Sequence, residues 1–506
     1  MIPKILLFLI CALFIFTRLY KLTEIPPSVY WDEASIGYNA YTISQNGKDE
    51  WGKFLPIHFR AFGEFKLPVY IYTASFFIKV LGLNEFSLRL PSVLFSLGVL
   101  ILTYLLGKKL LDSISVGLLG SFLVSISPWF FIFSRTGYEA TAGLMFYMLA
   151  IFFFLKTNEN VWYILFSVVS FILSAYSYNS FRFLVPFTIL ILIIYNFKKL
   201  KFFLQKGILS IVLSVIILII SIIPIYRLYR FDAGISRLQV VGGTNATFLT
   251  NYLSHFGPDF LLLGDKNPRS QQPGFGQIYL LEIVFLLLGI IYIFKQKSKL
   301  ASLLVIVLLL APIPAAITRE SPHALRAIAM VPFLHMISAI GIIYFRKLIK
   351  LKYSIEFGIA IIFLAFFMNY FLNFLNIYPQ KTSKDWQYGY KRIFTDFNDE
   401  FSKYDKVIIS DEYAQPYIFA LFYQREYQNK FRQTVVRNTV DQWGFSTVLS
   451  FDKFEFGKVD KLLKPNLEHV LIFATVKEKI SLEKINIFPR SQINFLDGTT
   501  AFFVYK

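Results

Sequence analysis

The chain has 506 residues, of which 56% are hydrophobic, 18% aromatic and only 16% charged, a balance that excludes an ordinary soluble protein of this length. Its formal net charge is +19, but the lysines stand in short clusters between apolar runs, the pattern of loops flanking membrane helices, so nucleic-acid binding is not implied. The single cysteine, Cys11, lies in the first apolar run, which excludes a disulfide framework and a thiolate metal site.

The first apolar stretch, Ile5 to Phe16, follows Lys4 and has the length of a signal peptide. Thr17-Arg18-Leu19-Tyr20 offers no small-x-small cleavage site, so a retained first helix with Met1 in the cytoplasm is expected. With that first helix, the apolar runs predict spans near 4–20, 91–107, 115–133, 140–155, 161–178, 183–197, 207–226, 277–294, 300–317, 326–345 and 354–376, about eleven in all. The stretch 67–83 is at the short limit for spanning and carries Lys79 well inside.

Charge decides its place. If 67–83 does not span, the clusters Lys108-Lys109, Lys198-Lys199-Lys201-Lys206, Lys295-Lys297-Lys299 and Arg346-Lys347-Lys350-Lys352 all fall in the cytoplasm with the N-terminus. If it spans, every one flips outward. A juxtamembrane or re-entrant helix at 67–83 is therefore expected, inside a first outer loop over 21–90. A second long outer loop runs over 227–276, long enough to shape an acceptor or carrier entrance. The outer face then holds Asp32, Glu33, Glu64, Lys66, Arg135, Glu139, Arg182, Arg227, Arg319, Glu320, His323 and Arg326. Arginine grips phosphate with a planar, bidentate fork, so this set points to anion chemistry, with a phosphorylated lipid as the natural ligand.

Residues 1–376 are thus read as an all-α polytopic membrane domain. At Tyr378-Pro379 the composition changes, and 377–506 reads as a small soluble α/β domain outside the membrane. Its signals are β-like runs at 406–410, 469–475 and 500–505 and a helical stretch over 413–423. No fixed-period repeat is visible. Asn245-Ala246-Thr247 fits a glycosylation sequon, a short pattern that also arises by chance.

Two carboxylates, Asp32 and Glu33, sit where a helix begins after the first span. Helix capping explains such a pair. So does a base pressed against the membrane surface between aromatic residues.

Asp32-Glu33, then Lys66-Leu67-Pro68, then Leu83-Asn84-Glu85-Phe86-Ser87-Leu88-Arg89-Leu90-Pro91-Ser92, then Ser127-Pro128-Trp129 with Ser134-Arg135-Thr136 and Glu139, resemble the lipid-carrier-dependent type C glycosyltransferases. That superfamily, with the GT-C fold, includes protein O-mannosyltransferases and lipid A aminoarabinose transferases. The resemblance covers roughly residues 1–345. It implies an inverting enzyme that moves a monosaccharide from a polyprenyl-phosphate carrier to an acceptor, a protein, lipid or cell-surface glycan, outside the cytoplasmic membrane. Asp32 would be the catalytic base, with Glu33 supporting it and Glu139 as the second acidic residue. Lys66 would contact the carrier phosphate, although Leu67 stands where relatives often carry a proline. Glu64 would pair with Lys66 or cap the same turn.

Among the remaining outer residues, Arg135 and Arg182 face phosphate, or make an ordinary ion pair and an interfacial anchor respectively. His323 and Arg326 occupy a loop where relatives often carry a basic element facing the lipid phosphate. No cofactor is required by the sequence. A divalent cation is possible in some superfamily members, and Asp32 with Glu139 would be its ligands. The lack of a Walker loop or nucleotide fingerprint fits a lipid-linked donor. The competing expectation is a transporter or flippase of lipid-linked sugars, for which charges at mid-membrane depth or inverted repeats would be the signals.

Overall fold

The structure, a computed structural model, describes residues 2–62, 64–231, 242, 247–349, 354–424, 428–439, 446–463 and 469–506. Asn245 and Ala246 of the sequon, and most of 232–246 in the predicted long loop, lie outside the described residues. The chain divides into two compact units, one of Met1–Tyr20, Leu67–Tyr70 and Pro91–Leu372, the other of Lys21–Lys66, Ile71–Leu90 and Asn373–Lys506. Residues 21–66 thus fold with the C-terminal residues rather than as a separate loop.

The first unit is helical. Its helices are α1 (Ile2–Leu19), α4 (Glu85–Leu111, whose first turns belong to the second unit), α5 (Ile114–Ile126), α6 (Pro128–Phe133), α7 (Ala140–Leu155), α8 (Tyr163–Ala175), α9 (Asn179–Tyr195) and α10 (Leu200–Phe231). Further apolar helices cover Leu280–Gln296, Lys299–Leu310, Ile313–Ala316, Met330–Leu348 and Ser354–Asn376, the last of which enters the second unit at Asn373. Every apolar run expected to span is helical, and the departures are local. The run 115–133 breaks at Ser127-Pro128, because Pro128 has no N–H to continue α5 and instead starts α6, whose Phe130 N–H is accepted by Ser127 Oγ at 3.4 Å. The run 300–317 breaks at Ala311-Pro312 for the same reason. Gly207 kinks α10 with φ −126°.

Among the described residues five helices are long and apolar enough to cross a membrane: Ile2–Leu19, Glu85–Leu111, Gln205–Arg230, Met330–Leu348 and Ile355–Asn376. α10 leaves Ile208, Leu209, Ile219 and Ile220 exposed along its length, the distribution of a helix solvated by acyl chains rather than water. Two glycines set one close helix pair. A Cβ on Gly341 would stand 1.7 Å from the Phe285 carbonyl oxygen and one on Gly289 2.0 Å from that of Ile337, so Leu280–Gln296 and Met330–Leu348 touch backbone to backbone. Buried between them, His335 Nδ1 lies 2.6 Å from Glu282 Oε1.

The second unit holds α2 (Trp31–Asn46), a hairpin of β1 (Phe59–Arg60) and β2 (Phe65–Lys66), most of α3 (Pro68–Leu81) and a seven-stranded sheet. The strands are β3 (Lys406–Ile409), β4 (Val436–Arg437), β5 (Val448–Phe451), β6 (Phe454–Phe456), β7 (Val470–Ala474), β8 (Ser491–Asn494) and β9 (Thr500–Tyr505), in the order β4-β5-β6-β3-β7-β9-β8. β3 runs parallel to both β6 and β7, and the flanking pairs are antiparallel. β7 is buried at all five positions, as a strand covered on both faces must be. α3, at 14 residues, reaches only about 21 Å, short of a bilayer core of about 30 Å.

Gly37 lets α2 lie against the helix Pro416–Tyr423, since a Cβ there would meet the Phe422 ring at 2.6 Å. At the end of this contact Glu50 is buried, and burial pushes its carboxyl up to about 7 against the pull of the Tyr417 hydroxyl, which donates to it at 2.8 Å, and of Arg437. An unfolded Glu titrates near 4.3, so the stability linked to this proton is fully present below about 4.3 and lost as pH rises through about 7. Glu50→Gln, which keeps an acceptor for Tyr417, is therefore expected to raise Tm over the parent at pH 8 and to leave it unchanged at pH 4. Equal effects at both pH values would mean that Glu50 is not held protonated.

Candidate active site

The acidic residues of the first loop separate into two jobs within the second unit. Asp32 lies in the first turn of α2, where unpaired N–H groups and the helix dipole favour a carboxylate. The start of this helix is fixed from the C-terminal part of the unit: Trp31 N–H donates to Gln387 Oε1 at 3.0 Å, and Gln387 Nε2 donates to the carbonyls of Tyr413 and Ala414. Lys66, at the end of β2, places its ammonium 2.6 Å from Asp32 Oδ1 and 2.6 Å from Glu64 Oε1. The lysine side chain is only 6% exposed, Asp32 26% and Glu64 13%. The hairpin makes this possible, because Phe59 pairs with Lys66 and Arg60 with Phe65, which stiffens a segment too short to be rigid alone. Trp31, against Tyr30 at 4.9 Å and Phe62 at 6.0 Å, supplies an aromatic wall beside Asp32.

Glu33, one residue on, is fully buried. Its two oxygens accept from Arg89 Nε at 3.1 Å and Nη2 at 3.2 Å, and Oε2 also accepts from Tyr30 N–H at 3.3 Å. Arg89 is 0% exposed and donates further to the carbonyls of Leu22, Pro26 and Ser28. Glu33 and Arg89 thus tie the chain between α1 and α2 in place. A carboxylate so enclosed holds structure rather than facing a substrate.

The other residues expected at the site lie in the first unit. Glu139, at the start of α7, is buried and accepts the backbone N–H of Leu67 at 3.1 Å, Leu67 being the residue after Lys66 in the chain. Arg135 is fully buried and donates to the carbonyls of Thr17, Arg18 and Tyr20, which satisfies the C-terminal end of α1. Arg182 donates to the Ala175 carbonyl and to Tyr229 Oη at 3.3 and 3.4 Å. Arg326 donates to Thr318 Oγ1 at 2.8 Å and faces Glu320 Oε2 at 3.3 Å.

The loop carrying Arg326 is pinned by two residues that sequence reasoning missed. His323 N–H donates to His255 Nε2 at 3.2 Å, and burial pushes His255 down to about 4, leaving it the neutral acceptor this bond needs. Ala324 N–H donates to Asp265 Oδ2 at 2.8 Å, and the same oxygen lies 3.9 Å from His323 Nδ1. Burial raises the Asp265 carboxyl, against the pull of the Ala324 and Asn267 N–H groups that it accepts. Arg89 was also missed. It lies between Leu88 and Leu90 in the sequence, and an arginine buried there needs a partner carboxylate.

Chemically, the second-unit cluster is one ammonium shared by two carboxylates, partly open to solvent. It offers a cation for an anionic ligand and a carboxylate that loses its counter-charge when that ligand arrives. Among the described residues no group of three or more His, Cys, Asp or Glu side chains is assembled to hold a metal ion.

Residues 66–241 match the family model described as dolichyl-phosphate-mannose-protein mannosyltransferase. No curated protein matches the sequence. Among solved structures, ArnT from Cupriavidus metallidurans in the apo state is similar over 93% of this chain and 93% of its own, with TM-score 0.60 and 9% identity. The same protein bound to undecaprenyl phosphate is similar over 99% of this chain and 97% of its own, with TM-score 0.57 and 9% identity. At that identity the likeness is one of fold. The chain therefore has the GT-C fold, and part of it matches the mannosyltransferase model within that fold.

Proposed function

We propose that this protein is an inverting glycosyltransferase that moves a monosaccharide from a polyprenyl-phosphate carrier to an acceptor outside the cytoplasmic membrane. The observation that carries the reading is Lys66 held at 2.6 Å by both Asp32 and Glu64, in a chain with the fold of ArnT, whose undecaprenyl-phosphate complex is known. The donor phosphate displaces the carboxylates as ligand of the Lys66 ammonium, a charge-assisted exchange. Asp32, left without its counter-cation, accepts the proton of the acceptor hydroxyl or amine as that group attacks the anomeric carbon. The C1–O bond to phosphate breaks on the opposite face, polyprenyl phosphate departs with the bonding electrons, and the anomeric centre inverts.

Glu33 and Arg135 are assigned to structure, and Glu139 to holding the backbone after Lys66. Arg182, His323 and Arg326 are second-tier phosphate contacts. The about eleven apolar helices would all span, several of them tilted or shortened by their neighbours, with 377–506 as an extracytoplasmic α/β domain.

The test is mass spectrometry of glycans and lipids from cells with and without the protein. The expected result is loss of one sugar from one acceptor class and accumulation of its polyprenyl-phosphate form. No change in either would overturn the substrate class, and carrier flipping in liposomes without transfer would favour a transporter. Lys66→Met is expected to raise the KM for donor at least tenfold, read by donor titration in proteoliposomes. An unchanged KM would remove Lys66 from phosphate binding.

A further inference from the structure

Loop 47–57 of the second unit turns tightly and exposes its apolar side chains. Asp49 N–H donates to Lys53 O, Gly52 N–H to Asp49 O and Leu55 N–H to Gly47 O, all at 2.8 to 3.0 Å. Asp49 Oδ1 accepts from the N–H groups of Trp51 and Lys53. With its backbone this well satisfied, the loop still leaves Phe54 65%, Leu55 51% and Ile57 45% exposed. In water this is an unfavourable placement for three large apolar groups in one short turn.

Charge is sorted across the same segment. Both of its acids are buried, Asp49 against the loop backbone and Glu50 against Tyr417, whereas Lys48 and Lys53 are exposed. The surface of the turn is therefore apolar at the tip and purely cationic around it. Two anchors hold it: Arg432 Nη2 donates to Asp49 O at 3.1 Å, and Tyr72 Oη on α3 donates to Pro56 O at 2.9 Å. Tyr72, Phe76 and Val80 follow one another at helical spacing, so the loop sits at the head of the apolar stripe of α3. Phe76 and Val80 are 64% and 69% exposed, and Lys79 beside them is exposed too.

We infer that loop 47–57 is a lipid-seating finger, whose Phe54-Leu55-Ile57 tip enters the headgroup and acyl boundary of an anionic bilayer while Lys48, Lys53 and Lys79 meet the lipid phosphates. Apolar groups ringed by lysine on a rigid support are what an interface of acyl chains below anionic headgroups selects. The inference rests on the membrane helices of the chain and not on the transferase reading, so either can fail without the other.

The experiment uses the full chain in proteoliposomes, with Cys11→Ser to remove the native thiol and a nitroxide at Leu55→Cys or Phe54→Cys. Leu55 is half-exposed, so a label there disturbs little, whereas the Phe54 ring also lies over Gly47, which makes Leu55→Cys the primary site. Collision with a water-soluble nickel chelate is expected to be several-fold lower than at the exposed Ser402→Cys, collision with oxygen higher, and the difference larger with phosphatidylglycerol than with phosphatidylcholine alone. Nickel accessibility equal to that at Ser402 in both lipids overturns the inference. So does protection that arises only on adding an acceptor extract, which would make the loop an acceptor-docking surface.

Discussion

Asp32→Asn is expected to lower sugar transfer by about 10²- to 10⁴-fold, the usual range for loss of a positioned general base. Asparagine has the shape of aspartate and keeps an oxygen for the Lys66 ammonium, which Asp32 meets at 2.6 Å, so fold and expression should survive. The loss should fall on kcat. Donor KM should stay or drop, because a neutral amide competes less than a carboxylate with the donor phosphate for Lys66. Glu64→Gln removes the other competitor but no base, so its kcat should remain within about tenfold of the parent. The decisive measurement is single-turnover transfer from labelled carrier in proteoliposomes. Full activity of Asp32→Asn at normal protein levels would remove Asp32 as base, and a product of retained anomeric configuration would remove single displacement for any residue.

How much of this was legible in the sequence follows from what each kind of signal encodes. Apolar runs announce helices directly, because a helix in lipid must be apolar over its length, and every expected span is helical. Breaks within a run were less visible. Pro128 and Pro312 sat inside apolar stretches, where hydropathy does not register a missing N–H. In the C-terminal part, the runs at 406–410, 469–475 and 500–505 became β3, β7 and β9, whereas β4 and β6, two and three residues long, are too brief for a period-2 pattern to show. Topology hid more. Nothing local in 21–66 says that it folds with 373–506, since that depends on pairings such as Trp31 with Gln387 and Glu50 with Tyr417, more than 350 residues apart.

At the site, residue types carried the chemistry but not the division of labour. Asp32, Glu64 and Lys66 were legible as two carboxylates and a cation on one loop, and they do meet. Asp32 and Glu33 are adjacent in sequence and alike in charge, yet a helix turns each residue by about 100°, which sends one to Lys66 and the other to Arg89. Arg135 looked like a phosphate ligand because arginine at a helix end is ambiguous: the same fork that binds phosphate also satisfies terminal carbonyls.

The division of labour makes a second large prediction. Glu33→Gln leaves Arg89 charged, buried and without its carboxylate, which for a buried pair costs about 3–5 kcal/mol. Arg89→Met should cost as much or more, since it strands Glu33 and also removes donors to the carbonyls of Leu22, Pro26 and Ser28. Arg89→Lys should recover only part, because a point ammonium cannot reproduce the fork that reaches Glu33 and three carbonyls together. The double variant Glu33→Gln/Arg89→Met should be less unstable than the sum of the singles, as neither charge is then left alone. Thermal unfolding of the detergent-purified protein reads all four. The outcome also separates the two roles open to Glu33 from its position beside Asp32. A fold-holding residue lowers Tm and yield, and what protein remains folded transfers sugar at close to the parent rate. If Glu33→Gln instead kept its Tm and lost transfer as completely as Asp32→Asn, Glu33 would have to reach the reacting atoms through a state in which Arg89 lets it go.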